Sequence, residues 1–290
     1  QAVKGVVEGR GEGLIDTRHF IFLLDGVQLL NKSKSWSTND NNELKIWFKA
    51  YYDWLDNSKI GKDEKKASNN HGVWYDAQAL AITNFLENNE ESKKIINRAL
   101  GRLNDEMDAK GAFPKELERT NSLHYSVFIL NAFECIAQLA DNINVDFRST
   151  KLSNGMSFKN AYDFLLPYLV EEKTWTWPTL NHFDIADAYP LLLSASKHLQ
   201  CVTCVPYMNK KSPDYSKMII SNGTYPLASD YRHIFLADNN TCKEIIWPLP
   251  QDPEFTINSA GTSWLIKALI NGRMSNFYLT GIGSRGFGNA

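Results

Sequence analysis

From Asp16 to Leu199 apolar residues recur at the three-and-four spacing of a helix, in segment after segment. Asp16 or Thr17 is expected to cap a helix whose apolar positions are Phe20, Leu23, Leu24, Val27 and Leu30. Asn41 to Leu55 follows, with Leu44, Trp47, Phe48, Tyr51 and Leu55 as its buried stripe. The run from Lys59 to Lys66 reads as a solvated charged loop. Helices then continue over Val73 to Leu86, Ser92 to Met107, Ser122 to Leu139, Met156 to Leu169 and Ile185 to Leu199. No convincing strand interrupts them. Such a chain can hide its stripes only by packing helix on helix. The expected fold is mainly α: an α/α toroid, an incomplete barrel of antiparallel helix hairpins, over residues 1–200. Residues 201–290 read as an irregular segment rich in Pro, Asn, Ser and Gly, with short strands expected at Ile245–Pro250 and Phe277–Leu279.

Within that helical cadence the sequence concentrates polar chemistry at helix starts. Asn69-Asn70-His71-Gly72-Val73-Trp74-Tyr75-Asp76-Ala77-Gln78 heads an apolar helix. One capping side chain suffices to start a helix, and Asn69 or Asn70 supplies it. His71, Tyr75 and Gln78, spaced four and three apart, share one face. That stripe suits the floor of a ligand cleft; the plainer reading is a capped helix with a satisfied core histidine. Asp16-Thr17-Arg18-His19 is a second concentration. A third is Glu116-Leu117-Glu118-Arg119-Thr120-Asn121-Ser122-Leu123-His124-Tyr125-Ser126.

Composition narrows the ligand. The net charge of -2 gives no global field for nucleic acid or an anionic membrane. No apolar run reads as a membrane span or as a signal peptide; the start at Gln1 reads as a processed or truncated product. Eight Trp, twelve Tyr and fifteen Phe exceed what a core alone requires, and flat rings are platforms for sugar faces. Cys201 and Cys204 have the spacing of half a zinc site or a redox pair, but no second pair completes a zinc site. A disulfide involving Cys242 is also open. No cofactor or metal is expected, and the Gly-rich end from Gly281 to Gly288 lacks the strand and helix of a phosphate loop.

Asn, His, Arg and Tyr together fit one kind of chemistry. Breaking a 4-linked uronate by β-elimination means removing H5 beside an ionised carboxylate. That charge must first be offset, so that enolate character can develop. Asn, His and Arg donors can offset it. A base must then take H5 and an acid must protonate O4. A tyrosine beside an arginine and an imidazole can do both when H5 and O4 lie on one face.

The three clusters, in order, resemble the alginate lyase family of polysaccharide lyases. The resemblance runs from Gly9 to about Leu199. Its motifs are Arg10-Gly11-x-Gly13-Leu14-Ile15-Asp16-Thr17-Arg18-His19, Asn69-Asn70-His71-Gly72-x-Trp74-Tyr75-Asp76-x-Gln78 and Glu118-Arg119-Thr120-x-Ser122-x-His124-Tyr125-Ser126. Trp175-Thr176-Trp177-Pro178 with Phe183-Asp184 is a weaker match. The resemblance implies an α/α toroid that cleaves an acidic polysaccharide. Asn70, His71 and Arg119 would neutralise the carboxylate, and Tyr125 would be base and acid. Arg18, His19, Asn69, Trp74, Tyr75, Gln78, His124, Trp175 and Trp177 would contact substrate or support the site. It also implies a periplasmic or secreted location. Family members carry a longer segment before the first motif, so an open ring is expected. From about residue 213 to 290 the chain resembles a fragment of SusD-like glycan-binding proteins.

Two other classes stay in view. One is a non-catalytic glycan-binding protein. The other is a glycoside hydrolase on the same toroid, which needs two carboxylates across a cleft, with Asp16, Asp76 and Asp184 as candidates.

Overall fold

The computed structural model describes residues 9–29 and 36–211. All regular structure among them is helical. A 3-10 turn, Gly11–His19, runs directly into α1 (Phe20–Leu29); then come α2 (Thr38–Asn57), α3 (Lys59–Lys65), α4 (Asn70–Phe85) and α5 (Asn89–Glu106). A short α6 (Pro114–Leu117) leads to α7 (Ser122–Asp141), α8 (Phe158–Leu169), a 3-10 turn at Ile185–Ala188, α9 (Tyr189–His198) and α10 (Cys204–Lys211).

The helix starts follow from their capping side chains. Ser37 and Asp40 form a reciprocal capping box on α2, and Asn69 and Asn88 accept from His71 N and Glu91 N to cap α4 and α5. The first helix departs from expectation. Asp16 and Thr17 sit inside the 3-10 turn instead of capping an α-helix, and the Thr17 hydroxyl turns to Gln78.

α4 is the axis of the fold. Nearly every residue from Asn70 to Phe85 is buried, because α1, α2, α5 and α7 all pack on it. Glu87, in a left-handed conformation, folds α5 back along α4. The antiparallel register is fixed by Ser92 on Thr83 near the turn and by Arg98 and Arg102 on Asp76 further along. α7 runs parallel to α4: Trp74 packs on Phe128 at one end, and Asn84 donates to Leu139 O at the other. Two parallel helices begin on the same side of the layer. The second and third polar motifs are therefore brought to one rim.

Three readings of individual segments are corrected by packing. Lys59–Lys65 is a helix capped by Ser58, not a solvated loop, and its Glu64 is 2% exposed. Trp47, expected in the buried stripe of α2, is 50% exposed, while Phe48 and Leu55 of the same stripe are buried as expected. α7 is long and apolar enough by composition to cross a membrane, against expectation, but it is a core helix, 78% buried in the window concerned. The helical layer also runs past residue 200. Cys201 and Cys204 close a disulfide on each other, with a Cα–Cα distance of 5.6 Å, and α10 packs on α9. The expected strands, Cys242, the Gly-rich end and the SusD-like stretch lie outside the described residues.

Candidate active site

The head of α4 separates the expected site residues into two groups. Asn69 caps the helix by accepting from His71 N at 3.2 Å. Asn70 and His71, one turn into the rim, each rest on a buried carboxylate. Glu116 Oε1 accepts from Asn70 N (2.8 Å) and Nδ2 (3.0 Å), and Oε2 accepts from Nδ2 (2.9 Å). Glu64 Oε1 lies 2.7 Å from His71 Nδ1. A carboxylate there fixes the tautomer with hydrogen on Nδ1 and leaves Nε2 for a ligand. Burial raises the Glu116 pKa above the ordinary carboxylate range, against the lowering pull of the Asn70 hydrogen bonds and of Arg119 and His71.

The rest of the stripe is structural. Tyr75 is buried and its hydroxyl donates to Leu55 O (3.3 Å) and Asp56 (3.4 Å); desolvation first, then Asp56, raises its pKa, so it is no proton shuttle. Gln78 accepts from Thr17 Oγ1 (2.8 Å), which in turn accepts from Tyr51 Oη (2.9 Å). Trp74 is fully buried against Phe128. The face that was expected to floor a cleft is an internal seam. It fastens α2, α3 and the first 3-10 turn to α4, and only His71 at its end stays partly open. Trp74, Tyr75 and Gln78 are thereby withdrawn as substrate contacts.

Asp76 is likewise internal. Fully buried, it accepts from Arg98 Nε (2.8 Å) and Arg102 Nε (2.7 Å). Asp184 accepts from Ala186 N as the cap of a 3-10 turn. Asp76, closed off by its two arginines, is thereby removed from any carboxylate pair of the hydrolase kind.

The start of α7 is different. The Arg119 guanidinium lies 4.1 Å from the centroid of the Tyr125 ring, and both side chains are half-buried. Exposed His124 stands edge-on to Tyr125 at 5.7 Å and near-parallel to Phe128 at 6.1 Å. Phe128 also carries the Arg18 guanidinium at 5.5 Å. Arg18, Trp74 and His124 thus meet on one phenyl ring, while exposed His19 is 6.3 Å from Phe22.

A loop holds this start in place. Ser122 N and Oγ both donate to Pro178 O, Asn121 pairs with Thr179 in an antiparallel bridge, and Asn121 Oδ1 accepts from Leu180 N and Asn181 N. Trp175 Nε1 donates to Ser122 Oγ at 2.9 Å, and Trp175 and Trp177 sit 4.8 Å apart against Phe164 and Tyr168. The two half-buried indoles border the Tyr125 end of α7. A groove of about 630 Å³ lined by Lys45, Tyr52, Thr83 and Glu91 lies at the opposite end of α4 and is no part of this arrangement. Among the described residues no group of three His, Cys, Asp or Glu is arranged to hold a metal ion.

Comparison with known proteins places the chain in a family. A sequence model of the alginate lyase family matches residues 1–175, well over half of the 290. The chain belongs to the alginate lyase family. The crystal structure of an alginate lyase from Bacteroides ovatus is similar to it, with a TM-score of 0.64 and 27% identity over 69% of this chain. This family member spans about half of that relative, 53% of its length. No curated protein matches. The family match ends at residue 175 and lends the SusD-like resemblance no support.

Glu64 and Glu116 are the carboxylates behind His71 and Asn70 to which sequence reasoning gave no role. Glu64 was hidden in a run of six charges among eight residues, and Glu116 stood in the third motif without a role.

Proposed function

We propose that the protein is a polysaccharide lyase that cleaves 4-linked uronates by β-elimination. The observation that carries this reading is the convergence on one rim of Arg119 over Tyr125, His71 on Glu64, and Asn70 on Glu116. Glu116 joins them, being held by Asn70 and within the electrostatic reach of both Arg119 and His71. Arg119, His71 and Asn70 offset the charge of the substrate carboxylate. Deprotonated Tyr125 takes H5; the electron pair left on C5 is stabilised through the neutralised carboxylate and forms C4=C5 as the C4–O4 bond breaks. The proton now on Tyr125 passes to O4. Atoms and charge balance without a co-reactant. Trp175 and Trp177 supply ring faces beside the base, and Arg18 and His124 supply positive or hydrogen-bonding edges.

One tyrosine reaches both H5 and O4 only where they lie on the same face of the ring, as in β-linked mannuronate and glucuronate. Polymannuronate or glucuronan is therefore the preferred substrate, ahead of polyguluronate. A location outside the cytoplasm accords with the Cys201–Cys204 disulfide; recovery of the native protein from a reducing cytoplasmic fraction would oppose it. The decisive assay follows ultraviolet absorbance of the conjugated C4=C5 bond during incubation with several polyuronates. New absorbance on polymannuronate or glucuronan is expected. Release of reducing ends without that absorbance, or faster initial rates on polyguluronate, would overturn the mechanism.

A further inference from the structure

Asn121 stands where a helix cap belongs and does not cap. An asparagine at that position ordinarily accepts, through its side chain, a backbone N–H of the first turn. Asn121 precedes α7 and makes no such bond. Its Oδ1 serves the loop instead, accepting from Leu180 N at 3.1 Å and from Asn181 N at 2.9 Å. Its carbonyl meanwhile accepts from Tyr125 N at 3.1 Å, inside α7. One residue thus ties the backbone of the base to a loop 59 residues away. The tie is reinforced on both sides. Leu180 N also reaches Thr120 O at 2.9 Å, and Ser122, held by Pro178 O through its amide and its hydroxyl, accepts from Trp175 Nε1.

We propose that Asn121 is a positioning residue for Tyr125: by holding the loop in place of its own helix, it keeps the phenol in register with the indoles of Trp175 and Trp177. Side chains on a helix lean toward its N-terminus, so a first-turn residue is aimed by the backbone just before it. Tyr125 lies in that first turn. Arg119, whose guanidinium is 4.1 Å from its ring, comes from the far side of Thr120, Asn121 and Ser122. The stretch between arginine and tyrosine is the stretch that the loop grips. The loop in turn carries Trp175 and Trp177, 4.8 Å apart, the ring faces assigned to the sugar. Sugar seat and base are therefore set by one strap. An ordinary side-chain cap would start α7 as well but would leave the base free to shift against the indoles. A shift on the order of 1 Å at the reacting atoms costs about a hundredfold in rate. Asn121 acts through the Tyr125 backbone and touches neither H5 nor O4.

The role rests on the lyase reading of Tyr125, and two substitutions separate it from plain helix stability. Asn121→Ser is a good cap for α7 but too short to reach Leu180 and Asn181, so it cuts the tie and spares the helix. Asn121→Asp keeps an acceptor at the same reach. Initial rates of unsaturated-product formation on polymannuronate and glucuronan, with a thermal melt of each preparation, read the outcome. For Asn121→Ser, kcat should fall about tenfold or more, with KM and the melting temperature close to wild type. For Asn121→Asp, kcat should return to within about threefold of wild type. A serine variant that keeps its rate overturns the assignment. So does one whose melting temperature collapses, which would make the tie structural, or one that raises KM at unchanged kcat, which would make Asn121 a substrate contact. An aspartate variant as slow as the serine one overturns it too, since the acceptor would not be what matters. Wild-type protein that forms no unsaturated product defeats the lyase reading, and the Asn121 role falls with it. Wild-type turnover that Asn121→Ser leaves intact removes the Asn121 role alone.

Discussion

The head of α4 and the start of α7 carry the same kinds of side chain and use them for opposite purposes. Each opens a long parallel helix, and each offers amide, imidazole and phenol groups. At α4 the polar groups beyond His71 turn inward: Tyr75 to α2, Gln78 to the first 3-10 turn, Asp76 to α5. At α7 the same chemistry stays half open, with Arg119 over Tyr125 and His124 50% exposed on its side-chain surface. Density of polar residues at a helix start therefore does not mark a site. What marks it is a polar group with a buried partner behind it and solvent in front, as at His71 on Glu64.

The sharpest test of that contrast is Tyr125→Phe. Loss of the proton-transfer group should lower kcat by a factor on the order of 10²–10⁴, about 3–5 kcal/mol in the barrier. The melting temperature should hardly move, since the ring and its packing remain. Steady-state rates and a thermal melt on the same preparation check both halves. A variant that keeps more than about a tenth of its rate would reduce Tyr125 to a packing residue.

How far the sequence spoke for itself differs between these regions for a physical reason. Helix order was legible because apolar spacing reports the buried face directly, and the cap at Asn69 is a local signal; the Ser37 cap, which starts α2 ahead of the expected Asn41, was not read. The rim was legible in part: motifs at the starts of α4 and α7 meet because the helices run parallel. What stayed hidden was partnership at a distance. A stripe of His71, Tyr75 and Gln78 looks the same whether it faces a sugar or a neighbouring helix. Glu64 gave no sign of burial because its partner lies across a helix break, seven residues on.

Asp76 is the test of the inward-facing half. Asp76→Ala would strand Arg98 and Arg102 beside an apolar void and should cost about 3–5 kcal/mol of stability. Chemical denaturation measures it. A loss under about 1 kcal/mol would mean that the α4–α5 seam is not held by this ion pair.

Glu106 gives the seam a pH signature. Arg102 is already committed to Asp76 and to the carbonyls of Ala67 and Lys65, so its 3.8 Å approach to Glu106 is a weak offset. Desolvation dominates and pushes the Glu106 pKa up to about 8. Between the ordinary carboxylate range and that value the folded state holds a proton that the unfolded state has released. Stability should therefore fall as pH rises through this window, by at most about 1.4 kcal/mol per pH unit. Glu106→Gln should flatten the slope and gain on the wild type toward alkaline pH, as read from urea midpoints at several pH values. A wild-type-minus-variant difference that does not change with pH would show that Glu106 is ionised throughout.

The smallest effect completes the comparison, because it makes the same substitution at the other helix. Tyr75→Phe removes a hydroxyl whose two contacts, at 3.3 and 3.4 Å, are long. Long hydrogen bonds are weak, yet the Leu55 carbonyl at the end of α2 would lose a partner. A loss of about 1 kcal/mol in stability is expected, with kcat and KM close to wild type. The ring fills the same volume, so no cavity opens beneath His71. If kcat instead fell tenfold while stability held, Tyr75 would be reporting to the substrate. The seam would then have to open during turnover, and the division between the two helix starts would be one of conformation and not of design.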